Sequence, residues 1–370
     1  MRNLKRALSL GLTAAMISGL MVMGSSAASS SYTDVADTDN VEAIEVLKSV
    51  GIMVGDESGD FNPDQKVTRN EMAVVMSNLM AYNVATYKNT SPFTDVPSWA
   101  EPYVAACWTN GITAGTSATT YGGSDNVTTS QAALMLMKAL GYFQYSQDFG
   151  NDWQLATATK GNDIDLFNGV DSGLREAMTR NDLAQLVLNT LESGTVQANT
   201  SGSITVGGVT IATDVQYDYI TSNQSYASAI DDARTTNIDG DLIQGSVVEL
   251  GEQLYMGDLQ LEDNTIDDFG RPSRTWSYDG DEIGTYAKKE LLRQTYTVGV
   301  EGGEVYNDIG AAACDYDLTY WVDGVEYTDA ETAAEAAKLE RRNDDDLGET
   351  GRGVLTEVYE IGRASCRERV

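Results

Sequence analysis

Two arginines hold the positions in this chain with the clearest chemistry. Arg69 lies in Val67-Thr-Arg-Asn-Glu71 and Arg180 in Met178-Thr-Arg-Asn-Asp182. A Thr followed three residues later by an acidic side chain marks a capped helix start. Each arginine therefore falls in the first helical turn. A cation there faces the positive end of the helix dipole, at a local cost of roughly 0.3–1 kcal/mol. Something must offset it. One offset is an ion pair with Asp34, Asp95 or another carboxylate. The other is an anionic ligand, because backbone N–H groups and a guanidinium together suit an anion. The residues alone leave both open.

Composition closes off most other chemistry. The 370 residues include no histidine, which removes Ser/His/Asp and Cys/His catalysis, His-ligated zinc and a histidine switch. Three cysteines cannot form a disulfide framework or a four-Cys zinc site. Cys107 reads as a buried structural thiol on an apolar helix face. With 24 Lys+Arg against 56 Asp+Glu the formal charge is −32, which lacks the basic footprint that nucleic acid requires. Such a charge is compatible with divalent cations, but no specific metal site or cofactor is expected. The acidic loop Asp56–Asn62 lacks the ligand order of an EF-hand and reads as a turn. Asp267-Asp268 and Asp344–Asp346 form no catalytic constellation without geometry, so the visible chain is not read as an enzyme.

The elements that must position the arginines come from an internal repeat. Tyr32-Thr-Asp-Val35 recurs as Phe93-Thr-Asp-Val96, and Gly51-Ile-Met-Val-Gly55 recurs as Gly111-Ile-Thr-Ala-Gly115. Val67-Thr-Arg-Asn-Glu71 recurs as Val127-Thr-Thr-Ser-Gln131 and again at Met178–Asp182. Three copies are expected at 32–82, 93–142 and 149–193, the third lacking the aromatic-x-Asp-Val opening but keeping Trp153 and Gly169. Each reads as helix, loop, helix. Val41, Ile44, Leu47 and Val50 make one apolar stripe; Met72, Val75, Met76, Leu79 and Met80 make the next. Thr128 with Gln131 repeats the capping box, and Thr179 with Asp182 gives a weaker one ahead of Leu183, Leu186, Val187 and Leu191. Such stripes are core faces that bury one another.

These repeated motifs resemble S-layer homology (SLH) domains, most closely over Gly51–Glu71, and the resemblance spans about 160 residues of the 370. It implies a mainly helical pseudo-threefold trimer of SLH repeats, which with the mainly β, one-helix region read below makes an α + β multidomain chain. It implies non-covalent binding of a secondary cell-wall polysaccharide, often through a pyruvylated sugar, in grooves between repeats. Carried over by motif, the polymer-binding residues are Arg69, Arg180, Asp34, Asp95, Gly55, Gly115 and Trp99. Thr129 replaces the arginine in the second repeat, so at most two of three grooves are expected to work. A carboxylate-bearing sugar suits a bidentate arginine.

The two ends stand apart. Residues 1–28 read as an export signal: Arg2, Lys5 and Arg6, an uncharged apolar run Ala7–Met23, then small residues to Ala28. No other stretch is expected to span a membrane, so no membrane partner is expected after cleavage. Ile361–Val370 is basic after an acidic chain. One codon choice for it, ATCGGAAGAGCGTCGTGTAGGGAAAGAGTG, resembles a sequencing adapter, so 361–370 is expected to be a translated artefact and the natural product to continue beyond Glu360.

Residues 203–360 read as a β-rich, truncated domain. Twelve of the 19 tyrosines fall between Tyr217 and Tyr359. Strand-like runs occur at Ser203–Thr210, Gly245–Leu250, Thr295–Val300, Leu318–Val322 and Gly353–Tyr359, with a hairpin turn at Asp323-Gly324 and a helix over Asp329–Arg341. The expected function is anchoring of a secreted protein at the cell wall or surface layer, with a structural or adhesive β region and self-association as a further partner. The alternative is an SLH-anchored exoenzyme, a glycosidase or other hydrolase, whose catalytic part is missing.

Overall fold

The structure, a computed structural model, describes residues 30–206, 209–223, 247–296, 300–301, 319–337, 349–350 and 356–359. Residues 1–29, read above as an export signal, Cys314, Asp344–Asp346 and residues 361–370 lie outside the described residues.

The repeats fold as six helices: α1 (Val41–Ser49), α2 (Arg69–Leu79), α3 (Glu101–Thr109), α4 (Thr129–Leu140), α5 (Trp153–Asp163) and α6 (Arg180–Leu191). The apolar stripes form the core. Ile44, Leu47, Met72, Met76, Leu79, Leu136, Leu183, Leu186 and Val187 are fully buried, and Cys107 is buried with them. Burial pushes the Cys107 thiol pKa up to about 11, which keeps it protonated and unreactive. Thr68 and Thr128 close the two expected capping boxes with Glu71 and Gln131.

The helices pair between copies. The closest helix packings are α2 with α3, α4 with α5, and α6 with α1, so the last helix returns to the first. Backbone hydrogen bonds make the same circuit. Val67 N–H donates to the Met178 carbonyl (3.0 Å), Met178 N–H to Val127 (3.0 Å), and Val127 N–H to Val67 (2.9 Å). Asn40, just before α1, donates its N–H to Asn181 Oδ1 on α6 at 2.8 Å.

After α6 come β1 (Val196–Val206) and β2 (Val209–Tyr219), an antiparallel pair. The single strand expected over Ser203–Thr210 is thus the ends of two strands on either side of Gly207-Gly208, a dipeptide suited to a two-residue hairpin loop. Only isolated bridges form at Val247 and Glu249, and the expected strand gives way to a helix, α7 (Leu250–Tyr255), capped by Glu249 and Glu252. The β-rich region therefore carries a short helix beyond the one expected. A meander of β3 (Leu259–Ile266), β4 (Pro272–Tyr278) and β5 (Asp281–Ala287) follows in the order β3–β4–β5.

The chain divides into two compact units, one running to Leu261 and including Trp276–Ile283, the other taking Glu262–Thr275 and the residues from Gly284. In the second unit, Thr265, Thr275 and Thr285 hydroxyls form a cross-strand ladder at 3.1 and 2.8 Å. It also holds β6 (Leu292–Tyr296) paired with β11 (Thr356–Tyr359), β7 (Val300–Glu301) with β10 (Glu349–Thr350), and β8 (Tyr320–Val322) with β9 (Val325–Tyr327). The β8–β9 turn is Asp323-Gly324, both at positive φ (47° and 80°), as the sequence predicts. The helix α8 (Ala330–Ala336) starts on the Asp329 cap.

Candidate functional site

Each opening aspartate holds a loop. Asp34 accepts from Phe61 N–H (2.9 Å) and Asn62 N–H (2.6 Å). Asp95 accepts from Tyr121 N–H (2.7 Å) and Gly122 N–H (2.8 Å). The Tyr121 N–H, with that of Gly122 and the charge of Arg69 behind it, holds the Asp95 carboxyl below the usual carboxylate range. The aromatic two residues earlier packs on the loop glycine. A Cβ on Gly55 would lie 2.6 Å from Tyr32 Cε1 and 2.8 Å from the Asp60 carbonyl, and one on Gly115 2.3 Å from Phe93 Cε1. Only glycine fits either place. The Asp56 carboxylate is taken up inside its own turn by Ser58 N–H, Asp60 N–H and Asn62 Nδ2.

The arginines reach these loops from the neighbouring copy. Arg180 donates from Nη2 to the Val54 carbonyl (2.9 Å) and from Nε to the Phe61 carbonyl (2.7 Å). Arg69 donates from Nη2 to Ala114 (2.8 Å) and from Nε to Tyr121 (3.3 Å). Each guanidinium lies over the ring of its loop aromatic, Arg180 4.7 Å from Phe61 and Arg69 4.6 Å from Tyr121. The structure thus brings Arg180 together with Asp34 and Gly55, and Arg69 with Asp95 and Gly115.

This geometry decides one of the two offsets left open for the arginines, the ion pair. No ion pair to either arginine occurs among the described residues. Carbonyl dipoles and aromatic faces hold the cations instead. The helix starts are not open anion sites either. Arg69 and Asn70 N–H donate to Asp125 and Gly123 carbonyls, and Arg180 and Asn181 N–H to Gln65 and Pro63. The Thr caps take the next N–H in each helix. Only the guanidinium remains for an anion. Burial lowers the Arg180 pKa, opposed by Glu71, Tyr32, Asp56 and Asp34.

Behind each loop lies an aromatic pair that sequence reasoning passed over. Tyr32 and Phe61 have ring centroids 5.5 Å apart, and Phe93 and Tyr121 5.4 Å. Each pair is closed on its far side by the same position of the preceding helix. In the first copy Lys48 Nζ sits 4.3 Å from the Tyr32 ring; in the second Trp108 packs edge-on against Phe93 at 6.2 Å. The signal was present, because Lys48 and Trp108 occupy equivalent places in α1 and α3. Trp99 stands before α3, 55% exposed.

The third interface is built differently. Thr129 Oγ1 donates to the Ser172 carbonyl (3.3 Å), and Ser130 Oγ to Leu174 (2.6 Å). With no opening aspartate, Asp182 does the loop-holding. Its carboxylate accepts from Asp171 N–H (3.2 Å) and Ser172 N–H (3.1 Å), and it is buried. The weaker capping box read at Thr179 and Asp182 is therefore half a box. Thr179 Oγ1 caps Asp182 N–H, while the carboxylate points at the loop.

Comparison with known proteins gives this geometry a family. The S-layer homology domain model matches residues 31–73 and 92–133. A cell surface protein of Thermoanaerobacter kivui is 26% identical over 267 residues, 69% of this chain and 34% of that protein. A surface-layer 125 kDa protein of Lysinibacillus sphaericus is 32% identical over 129 residues, 34% of this chain and 11% of that protein. An endoglucanase of Bacillus sp. (strain KSM-635) is 29% identical over 113 residues, 28% of this chain and 12% of the enzyme. The chain thus spans about a third or less of the length of these relatives. Two matched domains, the loop and helix geometry of that region, and this set of relatives converge: the chain carries S-layer homology domains and is similar to proteins of the cell surface.

Proposed function

We propose that this protein anchors non-covalently to the cell wall by holding an anionic, pyruvylated secondary polymer in two grooves, one at Arg180, Asp34 and Gly55, the other at Arg69, Asp95 and Gly115. The observation that carries this is the state of the guanidinium groups. Each is fixed through Nε and one N–H of Nη2, with no ion pair among the described residues. The end-on edge, Nη1 with the second N–H of Nη2, is the geometry that accepts a carboxylate as a fork. Asp34 and Asp95 act in this reading by fixing the loops, and Gly55 and Gly115 by letting the loop backbone approach. Trp99 supplies an exposed ring for a sugar face. The three copies form a pseudo-threefold trimer, a reading supported by the Val67–Met178–Val127 circuit. The groove at Thr129 is inactive because it lacks the cation.

The test uses the full chain and wall sacculi before and after acid removal of the secondary polymer. Binding is expected only to untreated sacculi. Arg69→Ala and Arg180→Ala should each weaken it about tenfold, the scale of one charge-assisted bond. Unchanged binding in the double variant would reject the grooves. The names of the surface-layer relatives support a further reading, association of copies at the surface. The endoglucanase match supports a second reading, a wall-anchored hydrolase; glucan turnover by the protein decides it.

A further inference from the structure

We infer that Trp108 extends the groove at Arg69 by a further subsite, a stacking face for the neutral sugar next to the anionic one. This rests on the groove reading above and adds a residue that none of the repeated motifs contains. Trp108 is 39% exposed near the end of α3. Its indole N–H has no hydrogen-bond partner among the described residues. By contrast, the buried Trp276 donates its indole N–H to Glu42 Oε1 at 2.6 Å. A large apolar ring left in water with its polar edge unused suits a sugar. The C–H face of the sugar stacks on the ring, and a hydroxyl accepts from the N–H.

Trp108 is continuous with the groove. The Arg69 guanidinium lies 4.6 Å from the Tyr121 ring, Tyr121 lies 5.4 Å from Phe93, and Phe93 lies 6.2 Å from Trp108. Tyr121 and Phe93 are buried, so this row meets solvent at its two ends, the cation and the indole. The loop against the row adds little bulk. Ala114, gripped by Arg69, and Gly115, packed on Phe93, both reach the surface. The cation and the indole are thus separated by no more than a short oligosaccharide. Edge-on packing against Phe93 fixes the indole before any ligand arrives, which lowers the ordering cost of binding. The groove at Arg180 lacks this face. Its equivalent residue is Lys48, whose Nζ lies over the Tyr32 ring and donates to Ser31 Oγ, and Ser31 in turn bonds to the buried Glu45. The two grooves therefore hold different lengths of the same polymer.

The experiment is binding to wall sacculi by full-chain variants that each keep one groove. The Arg180→Ala chain binds through Arg69. Adding Trp108→Ala to it should weaken binding about tenfold, the effect of removing an aromatic anchor. Trp108→Tyr in the same chain should restore most of that loss, because a smaller ring still stacks. In the Arg69→Ala chain, Trp108→Ala should cost about twofold at most, because the groove it serves is already disabled. A merely structural role for Trp108 would weaken both chains alike. Equal losses in the two chains, or no loss in the Arg180→Ala chain, overturn the subsite and leave the grooves standing. Single arginine variants that bind like wild type overturn the grooves themselves, and the subsite with them.

Discussion

At the scale of single residues, the two loops gripped by the arginines depend on the absence of a side chain. Gly55 and Gly115 are pressed between an aromatic edge and backbone carbonyls, with no space for a methyl group. The obstructing atoms include main-chain oxygens, Asp60 for the first and Ser117 and Thr120 for the second. A flexible side chain could swing aside; these carbonyls are held, because Asp60 and Thr120 accept from Asp56 and Thr116 N–H in the same loops. Gly55→Ala and Gly115→Ala are therefore expected to cost about 1–3 kcal/mol each, the range for overpacking. Denaturant midpoints at unchanged slope would show it. The carbonyls that grip the arginines belong to Val54 and Ala114, directly before these glycines, so the same substitutions should also displace Arg180 and Arg69. A variant with native stability would show that the loops yield more easily than this packing implies.

At the scale of elements, the helix starts were legible because capping is local. Thr68 with Glu71 and Thr128 with Gln131 need only their own backbone, and both boxes form. Asp182 was misread because its partners, Asp171 and Ser172, come from a loop that the short third copy folds in its own way. The arginine contacts were hidden for a related reason. Val54 lies 126 residues from Arg180 in the chain, and no local pattern reports that approach. The β1–β2 arm was missed through turn chemistry, since Gly207-Gly208 inside a β-branched run is a hairpin signal that a single-strand reading overrides. The difference between the two acidic third positions is testable. Glu71→Ala removes one side of a capping box on a half-buried residue and should cost about 1 kcal/mol. Asp182→Ala leaves two loop N–H groups without their acceptor at a buried site and should cost about 2–4 kcal/mol. Thermal melts of the two variants, side by side, distinguish them; equal losses would mean that solvent replaces the Asp182 contacts.

At the scale of the whole molecule, repetition told how many copies to expect but not how they close. A linear array and a closed one have the same sequence signature, because each copy carries the same apolar faces. The contact of α6 with α1 distinguishes them, and it rests on residues at opposite ends of the repeat region, such as Asn40 and Asn181. Closure has a consequence for stability. In a linear array a cavity in the first helix loosens its neighbour and leaves the far end protected. Here α1 covers α6, and the loop after α1 supplies the Pro63 and Gln65 carbonyls that satisfy the α6 helix start. Ile44 is fully buried on α1, and Ile44→Ala should destabilise by about 2–5 kcal/mol. The expected pattern in native-state hydrogen exchange is the decisive part. Amides of α6, Leu183 to Leu191, should lose protection together with those of α1, more than 130 residues away in sequence. If α6 keeps its protection while α1 and α2 lose theirs, the copies behave as a row and the closing contact contributes little.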